Sequence, residues 1–308
     1  MQFGIHNPSF LFPSEEQSIF DALKRKVQWA EAHGFVWFDV MDHMIQIAPG
    51  VGRADDPFME SWTTLSALAA VTEKIRLGTM VTSVSYRNPA LLAKMAATVD
   101  IISHGRLTLS IGAGWYETEY QQYNWEFPNS ATRIHQMEEA VQVIKAMWTQ
   151  PRANFHGKYF QIEDAILEPK PVQKPHPPVL IGGSGEKLTL RAVARHADAC
   201  NLFGNPQEIQ QKLDVLRRHC QNEGRDFEEI ERTCLPTFLL SRDEASLKAK
   251  TERLGAPGTS RGFALTVSQA TDLLTEYANV GIQLCICSIF KNDFETLELL
   301  AELIPQFA

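Results

Sequence analysis

Apolar residues recur along this chain in two alternating registers, one of helical and one of strand-like spacing. Phe20, Leu23, Val27 and Ala30 step at helical spacing after a capping-box pattern from Ser14 to Gln17, so residues 15–33 read as a helix ended by Gly34. A short apolar run at 36–40 follows, then a helical pattern through Trp62, Leu65, Leu68 and Ala69, then another run at 75–81. Asn88 and Pro89 supply an N-cap and a first-turn proline for a helix carrying Leu92, Met95, Val99 and Ile102. Ile134, Met137, Val141, Ile144 and Trp148 step alternately by 3 and 4, the pattern of an amphipathic helix.

Eight strand-like runs emerge, at residues 2–6, 36–40, 75–81, 107–111, 179–181, 199–202, 233–240 and 284–289, each followed by a helical pattern. Eight such βα units without a GxGxxG turn predict an α/β fold, a closed (β/α)8 TIM barrel rather than an open Rossmann sheet. The rhythm breaks at about residues 154–178, before strand 5, where residues 156–160 read as a hairpin edge and five prolines fall between 169 and 178. We expect an insertion within one domain spanning residues 1–308, since barrels of this length commonly form a single domain. The polar, glycine-containing segment 241–262 is long enough to form a mobile cover over the barrel mouth.

Composition narrows the partners. With 29 basic and 37 acidic residues the net charge is -8, which opposes non-specific binding to nucleic acid or to anionic membranes and leaves small molecules or another subunit. No charged n-region and apolar h-region open the sequence, and no apolar run approaches the roughly 18 to 20 residues of a membrane span, so a cytoplasmic protein is expected. The five cysteines show no CxxC pair and no metal-ligand spacing; Cys285 and Cys287 share one face of a strand and read as packed thiols. The histidines show no HxH or HExxH spacing, so a metal-dependent hydrolase is disfavoured and no metal is expected.

In a barrel of this kind polar residues just after a strand face the ligand. Strand 2 is followed by Asp42-His43, a carboxylate beside an imidazole whose unperturbed pKa lies near 6.5, suited to hydrogen-bonding a heterocycle and moving a proton. Strand 3 ends in residues 78–83, where hydroxyl residues flank the apolar Met80-Val81. Strand 4 is followed by Gly112-Ala113-Gly114-Trp115-Tyr116-Glu117, whose glycines permit close backbone approach and whose aromatics can wall a planar ligand. Strand 5 is followed by Gly182-Gly183-Ser184-Gly185, leading directly into a helix, a backbone arrangement suited to an anion. A phosphate cradle, an aromatic wall and an acid/base pair at one barrel end suit a phosphorylated redox cofactor.

These signals in this order resemble the luciferase-like monooxygenase superfamily. The stretches "LGTMVTSVSYRNPALLAKMAATVDIISHGRLTLSIGAGWYETEY" and "EPKPVQKPHPPVLIGGSGEKLTLRAVARHADACN" resemble its branch of coenzyme F420 (deazaflavin)-dependent oxidoreductases. The resemblance implies a barrel with an insertion before strand 5, a deazaflavin in the mouth and a homodimer. It implies that Asp42 contacts the deazaflavin while His43 lies beside its reactive carbon. Met80-Val81 matches a non-prolyl cis peptide behind the ring, and Ser83 a polar cofactor contact. Trp115 and Thr118 match positions facing substrate and cofactor, with Ile47 and Tyr116 completing the substrate pocket. Residues 182–185 match the phosphate-binding turn. Sugar-phosphate dehydrogenases of this superfamily carry tryptophan at the position of Ile47 and glutamate at that of Trp115, so glucose-6-phosphate dehydrogenase activity is not implied. The Gly-Gly-Ser-Gly turn also resembles that of FMN-binding relatives. Hydride transfer with F420 is therefore the leading expectation, with an FMN-dependent two-component monooxygenase and a non-catalytic flavin-binding protein as alternatives.

Overall fold

Short runs rich in β-branched and aromatic residues form strands when both faces are covered, as happens where helices ring a parallel sheet. The computed structural model describes residues 1–12, 18–258 and 261–307. In chain order it contains β1 Gln2–Asn7, α1 Ile19–Ala32, β2 Trp37–Val40, α2 Ser61–Ala70, β3 Arg76–Thr79, β4 Thr82–Ser83, α3 Pro89–Ile102, β5 Leu109–Gly112, α4 Glu117–Gln122 and α5 Ser130–Thr149. Next come β6 Ala153–His156, β7 Gln161–Ala165, β8 Val179–Gly182, α6 Thr189–His196, β9 Ala199–Leu202, α7 Pro206–Glu223, β10 Glu231–Cys234 and β11 Thr237–Ser241. The chain ends with α8 Glu244–Leu254, β12 Gly262–Thr266, α9 Val267–Asn279, β13 Leu284–Ile289 and α10 Phe294–Leu303.

The main sheet runs β3-β2-β1-β13-β10-β9-β8-β5-β4, and its pairings are parallel. Strands β3 and β4 are two pieces of one barrel strand, separated at Met80-Val81, and a parallel bridge from Leu77 to Leu107 joins the two ends of the path. The result is the TIM-barrel architecture expected from the eight βα units, with helices around a parallel ring. Among the described residues no helix is long and apolar enough to cross a membrane.

Three expectations change in detail. The Ser14 to Gln17 capping box lies outside the described residues; α1 begins at Ile19, capped by Ser18, whose hydroxyl accepts from the Asp21 N–H at 3.1 Å. The run 233–240 is interrupted at Leu235-Pro236, since proline has no N–H for the ladder; β10 and β11 both pair with β13 in one continuous register, and β11 also pairs with β12. Residues 259–260 of the segment 241–262, expected as a cover, lie outside the described residues. Half of that segment is α8, which links β11 to β12 and is pinned by Lys250, whose Nζ reaches the Leu240 carbonyl, Asp293 and Glu295, each at 2.7 Å. The interruption near 154–178 contains the antiparallel hairpin β6–β7, with a turn closed by the Gly157 N–H on the Phe160 carbonyl. Cys285 and Cys287 are fully buried, their sulfurs 3.8 Å apart.

The inside of the barrel is filled at its lower end. Trp37 lies there with Leu180, Ala199, Leu284 and Ile286. A Cβ on Gly4 would stand 2.7 Å from the Trp37 side chain and one on Gly78 2.6 Å from it, so both strands carry glycine where the indole must fit. Beneath, Arg76 and Glu231 pair through two hydrogen bonds of 3.1 and 2.9 Å across the strand N-termini. What opens to solvent is the other end.

Candidate active site at the C-terminal mouth

His43 follows β2, and the short α4 places Glu119 against it. The Glu119 carboxylate is fully buried and accepts from His43 Nδ1 at 2.7 Å, from the backbone N–H of Met44 at 2.5 Å and of Ile45 at 3.1 Å, and from the Tyr86 hydroxyl. Burial alone would raise its pKa, but the His43 and Tyr86 hydrogen bonds and the backbone N–H outweigh it and hold the group below the ordinary carboxylate value. The Tyr86 phenol is pushed up by burial and by Glu119, so it stays a donor. An ionised carboxylate only accepts, which places the His43 hydrogen on Nδ1. His43 Nε2 has no partner among the described residues and is not among the enclosed unpartnered atoms, so it faces open space.

Four aromatic rings surround that imidazole edge-on, with centroids at 5.9 Å for Tyr116, 6.1 Å for Trp115 and 6.5 Å for Phe58 and Tyr86. Trp115 is 61% exposed, so it can wall a ligand at the rim. Tyr116 is buried and its hydroxyl bonds the Ala48 backbone at 3.2 Å, next to half-buried Ile47.

Asp42 behaves differently from its neighbour. Its oxygens accept from the Ser61 hydroxyl at 2.5 Å and from Arg87 at 2.6 and 3.0 Å, and Arg87 also holds Glu60, which caps α2. The carboxylate thus ties three segments together beneath the mouth. The Arg87 charge is raised above its ordinary pKa because Asp42 and Glu60 outweigh the burial that would lower it.

The Met80-Val81 peptide is cis, as the resemblance implied. The Val81 side chain lies over the ends of two strands: a Cβ on Gly112 would stand 2.7 Å from it and one on Gly182 2.8 Å. Ser83 is buried and shares a 2.7 Å hydrogen bond with the Tyr120 hydroxyl, close enough to Gly114 that a Cβ there would collide with both oxygens. Gly183 has φ +126, a conformation open to glycine, and Ser184 accepts the Phe203 N–H at 3.2 Å. The turn does not run directly into a helix: Glu186 to Leu188 intervene, and α6 then starts with no side-chain cap on its N-terminus. Thr118 is exposed on the first turn of α4. Among the described residues no group of three or more His, Cys, Asp or Glu could hold a metal.

The glutamate was the residue the sequence reading missed. Glu117 and Glu119 both follow Trp115, and only burial separates the exposed one from the one beneath His43.

Comparison with known proteins places this geometry. A family model described as luciferase-like monooxygenase matches residues 1–280. An uncharacterised protein of Mycobacterium tuberculosis is 34% identical over 209 residues, covering 64% of this chain and 73% of that protein. An FMNH(2)-dependent dimethylsulfone monooxygenase of Pseudomonas putida is 30% identical over 237 residues, covering 72% of this chain and 63% of the enzyme. Among solved structures, an F420-dependent secondary alcohol dehydrogenase in complex with an F420-acetone adduct superposes with a TM-score of 0.81 at 19% identity over 99% of this chain and 98% of that one, a likeness of fold. The relatives in sequence thus include an FMN-dependent enzyme and the neighbours in fold an F420-dependent one, and with nearly its whole length matched, this chain belongs to the luciferase-like monooxygenases.

Proposed function

We propose that this chain, as one domain and in a homodimer, transfers a hydride between the deazaflavin F420 and a small organic substrate, with His43 as its proton-handling group. The observation that carries this reading is the buried His43–Glu119 pair, which fixes the tautomer and aims a free Nε2 into an aromatic-walled mouth. The residues fit a phosphorylated planar cofactor. Gly112 and Gly182 leave Val81 as an apolar face, and Gly183 with the uncapped α6 offers a backbone cradle for an anion. When bound, a deazaflavin supplies two-electron hydride chemistry, because carbon replaces N5.

Within that site Met80, Val81 and Ser83 support the ring and residues 182–185 the phosphate, with Thr118 at the outer rim. Trp115, Tyr116 and Ile47 border the substrate. As a substrate alcohol becomes a carbonyl, its carbon gives up the hydride and its hydroxyl proton passes to His43 Nε2; in the reverse direction Nε2 returns that proton. Asp42 serves the site through Arg87 and Ser61, holding the loop that carries His43. A second copy is supported by α3, which exposes Leu91 at 54% and Ile102 at 37% beside Ile166 at 58% and Val172 at 50%. Sedimentation equilibrium tests that assembly.

Titration of the purified chain with F420 and with FMN, followed by fluorescence, tests the cofactor. Binding of F420 with turnover of an alcohol or carbonyl, lost by about 10²- to 10⁴-fold in His43→Ala, is the expected result. An FMN-dependent monooxygenase is the second reading, favoured by the relative from Pseudomonas putida; tight FMN binding with no F420 binding selects it. Cofactor binding without turnover of any acceptor selects a non-catalytic flavin-binding protein instead.

A further inference from the structure

A second imidazole–carboxylate pair lies inside the barrel, apart from His43. His6 on β1 and Asp39 on β2 are register partners. Asp39 falls two residues after Trp37, which lies in the inner cluster, so its side chain is on the inner face. His6 Nδ1 donates to Asp39 Oδ1 at 2.5 Å, and the Trp37 indole N–H donates to Oδ2 at 2.7 Å. Asp39 is entirely buried and the His6 side chain 6% exposed. His6 Nε2 has no partner among the described residues, yet it is not among the enclosed unpartnered atoms, so this nitrogen is reached from outside. Trp37 and the Arg76–Glu231 pair fill the lower end, which leaves the mouth as the direction of access.

Burying a carboxylate in a barrel costs several kcal/mol unless donors surround it, and an apolar pair would fill the same space without that cost. The wall facing this level is polar as well. Ser288, the register partner of His6 on β13, is nearly buried, and Asn201 Oδ1 and Ser110 Oγ are enclosed without partners. An imidazole backed by a carboxylate has one fixed nitrogen and one that serves the ligand. A redox ring that takes up two electrons gains negative charge along its carbonyl-bearing edge, and a hydrogen-bond donor there favours the reduced form.

We propose that His6, held by Asp39, contacts the carbonyl-bearing edge of the redox ring as an imidazolium: Nδ1–H stays on the Asp39 carboxylate, and a second hydrogen on Nε2 is donated to that edge and stabilises the reduced state. The proposal rests on the redox-cofactor reading above. His6 is then a second ligand-contacting group of the mouth and Asp39 its positioning residue, while His43 keeps the substrate proton.

The test is anaerobic titration of the full-length chain with oxidised and with reduced FMN, and with both forms of F420, in the wild type, His6→Phe, His6→Gln and Asp39→Asn. Loss of a hydrogen bond to a charged group, about 1.5 to 3 kcal/mol, should cut the preference for the reduced ring by about 10- to 100-fold in His6→Phe. That lowers the bound midpoint potential by about 30 mV for each tenfold in a two-electron couple. Partial recovery in His6→Gln, whose amide can donate, and a change in the same direction in Asp39→Asn support the assignment. A preference unchanged in the folded variants overturns it. In the wild type, the His6 Nε2 resonance of ¹⁵N-labelled protein should move when reduced cofactor is added, and a static resonance overturns the proposal even if a variant fails to fold. If the wild type binds neither cofactor, the redox-cofactor reading itself fails, an outcome distinct from binding that ignores His6.

Discussion

Replacing Glu119 by glutamine removes one charge and almost no volume, yet it should disable His43. Four donors converge on the carboxylate, from His43, Met44, Ile45 and Tyr86. A glutamine amide has one oxygen left for them and brings an NH₂ that must itself find an acceptor. Its best acceptor is His43 Nδ1, and that pairing moves the imidazole hydrogen to Nε2, the nitrogen that should accept the substrate proton. Turnover is then expected to fall by about 10²- to 10⁴-fold, the usual contribution of a general base, with a much smaller change in KM. Stability should fall by about 1 to 3 kcal/mol, the cost of leaving a buried donor poorly matched. Steady-state kinetics with the cofactor identified by titration gives the first quantity, thermal melting the second, and imidazole ¹⁵N shifts the tautomer. The pH dependence follows from the depressed Glu119 pKa. Its stabilising contribution is fully present above the unfolded value near 4.5 and is lost as pH falls through the lower folded value, so the glutamine variant should lose less stability in acid. Turnover within twofold of wild type, with Nδ1 still carrying the hydrogen, would show that Glu119 does not set the state of His43.

Gly183→Asp puts a carboxylate into the backbone cradle and a side chain at φ +126, with its Cβ 3.2 Å from Thr189; cofactor affinity should drop by at least about tenfold and stability by about 1 to 3 kcal/mol, and an unchanged dissociation constant would move the anion site elsewhere. Lys26 donates to Asn7 at 2.8 Å and Asn292 at 2.7 Å, and burial pushes its ammonium down to about 7 against the opposing pull of Asp39. The unfolded chain therefore binds the extra proton between about 7 and the model-compound value of 10.5, so stability should rise with pH across that window, and the rise should be absent in Lys26→Met; equal slopes by melting at pH 7 and 9 would refute the assignment.

Periodicity made the barrel legible because parallel strands covered on both faces read as continuous apolar runs and the helices between them carry a stripe. What periodicity could not resolve was the strand from 233 to 240, where Pro236 interrupts the ladder, and the segment after it, whose polar composition hides the helix α8. His43 and the glycine turn were legible from their place after a strand. Asp42 was legible as a position, but its pairing with Arg87 was not, since that partner lies 45 residues away. His6 and Asp39 did leave a signal in the sequence: each is a titratable residue two positions after an inward-facing one, Gly4 and Trp37. Glu119 left none, because its partner lies 76 residues away and nothing local distinguishes it from Glu117.

The indole wedged between Gly4 and Gly78 makes the barrel a blind tube. On the reading proposed above, everything that reacts arrives and departs through one doorway, so depth dictates order: a ring seated on Val81 should enter before anything is stacked above it, and should leave last. Two-substrate kinetics of such a tube should then be compulsory-order. A saturating excess of the outer molecule should trap the inner one and slow its exchange, without any moving part to enforce the sequence.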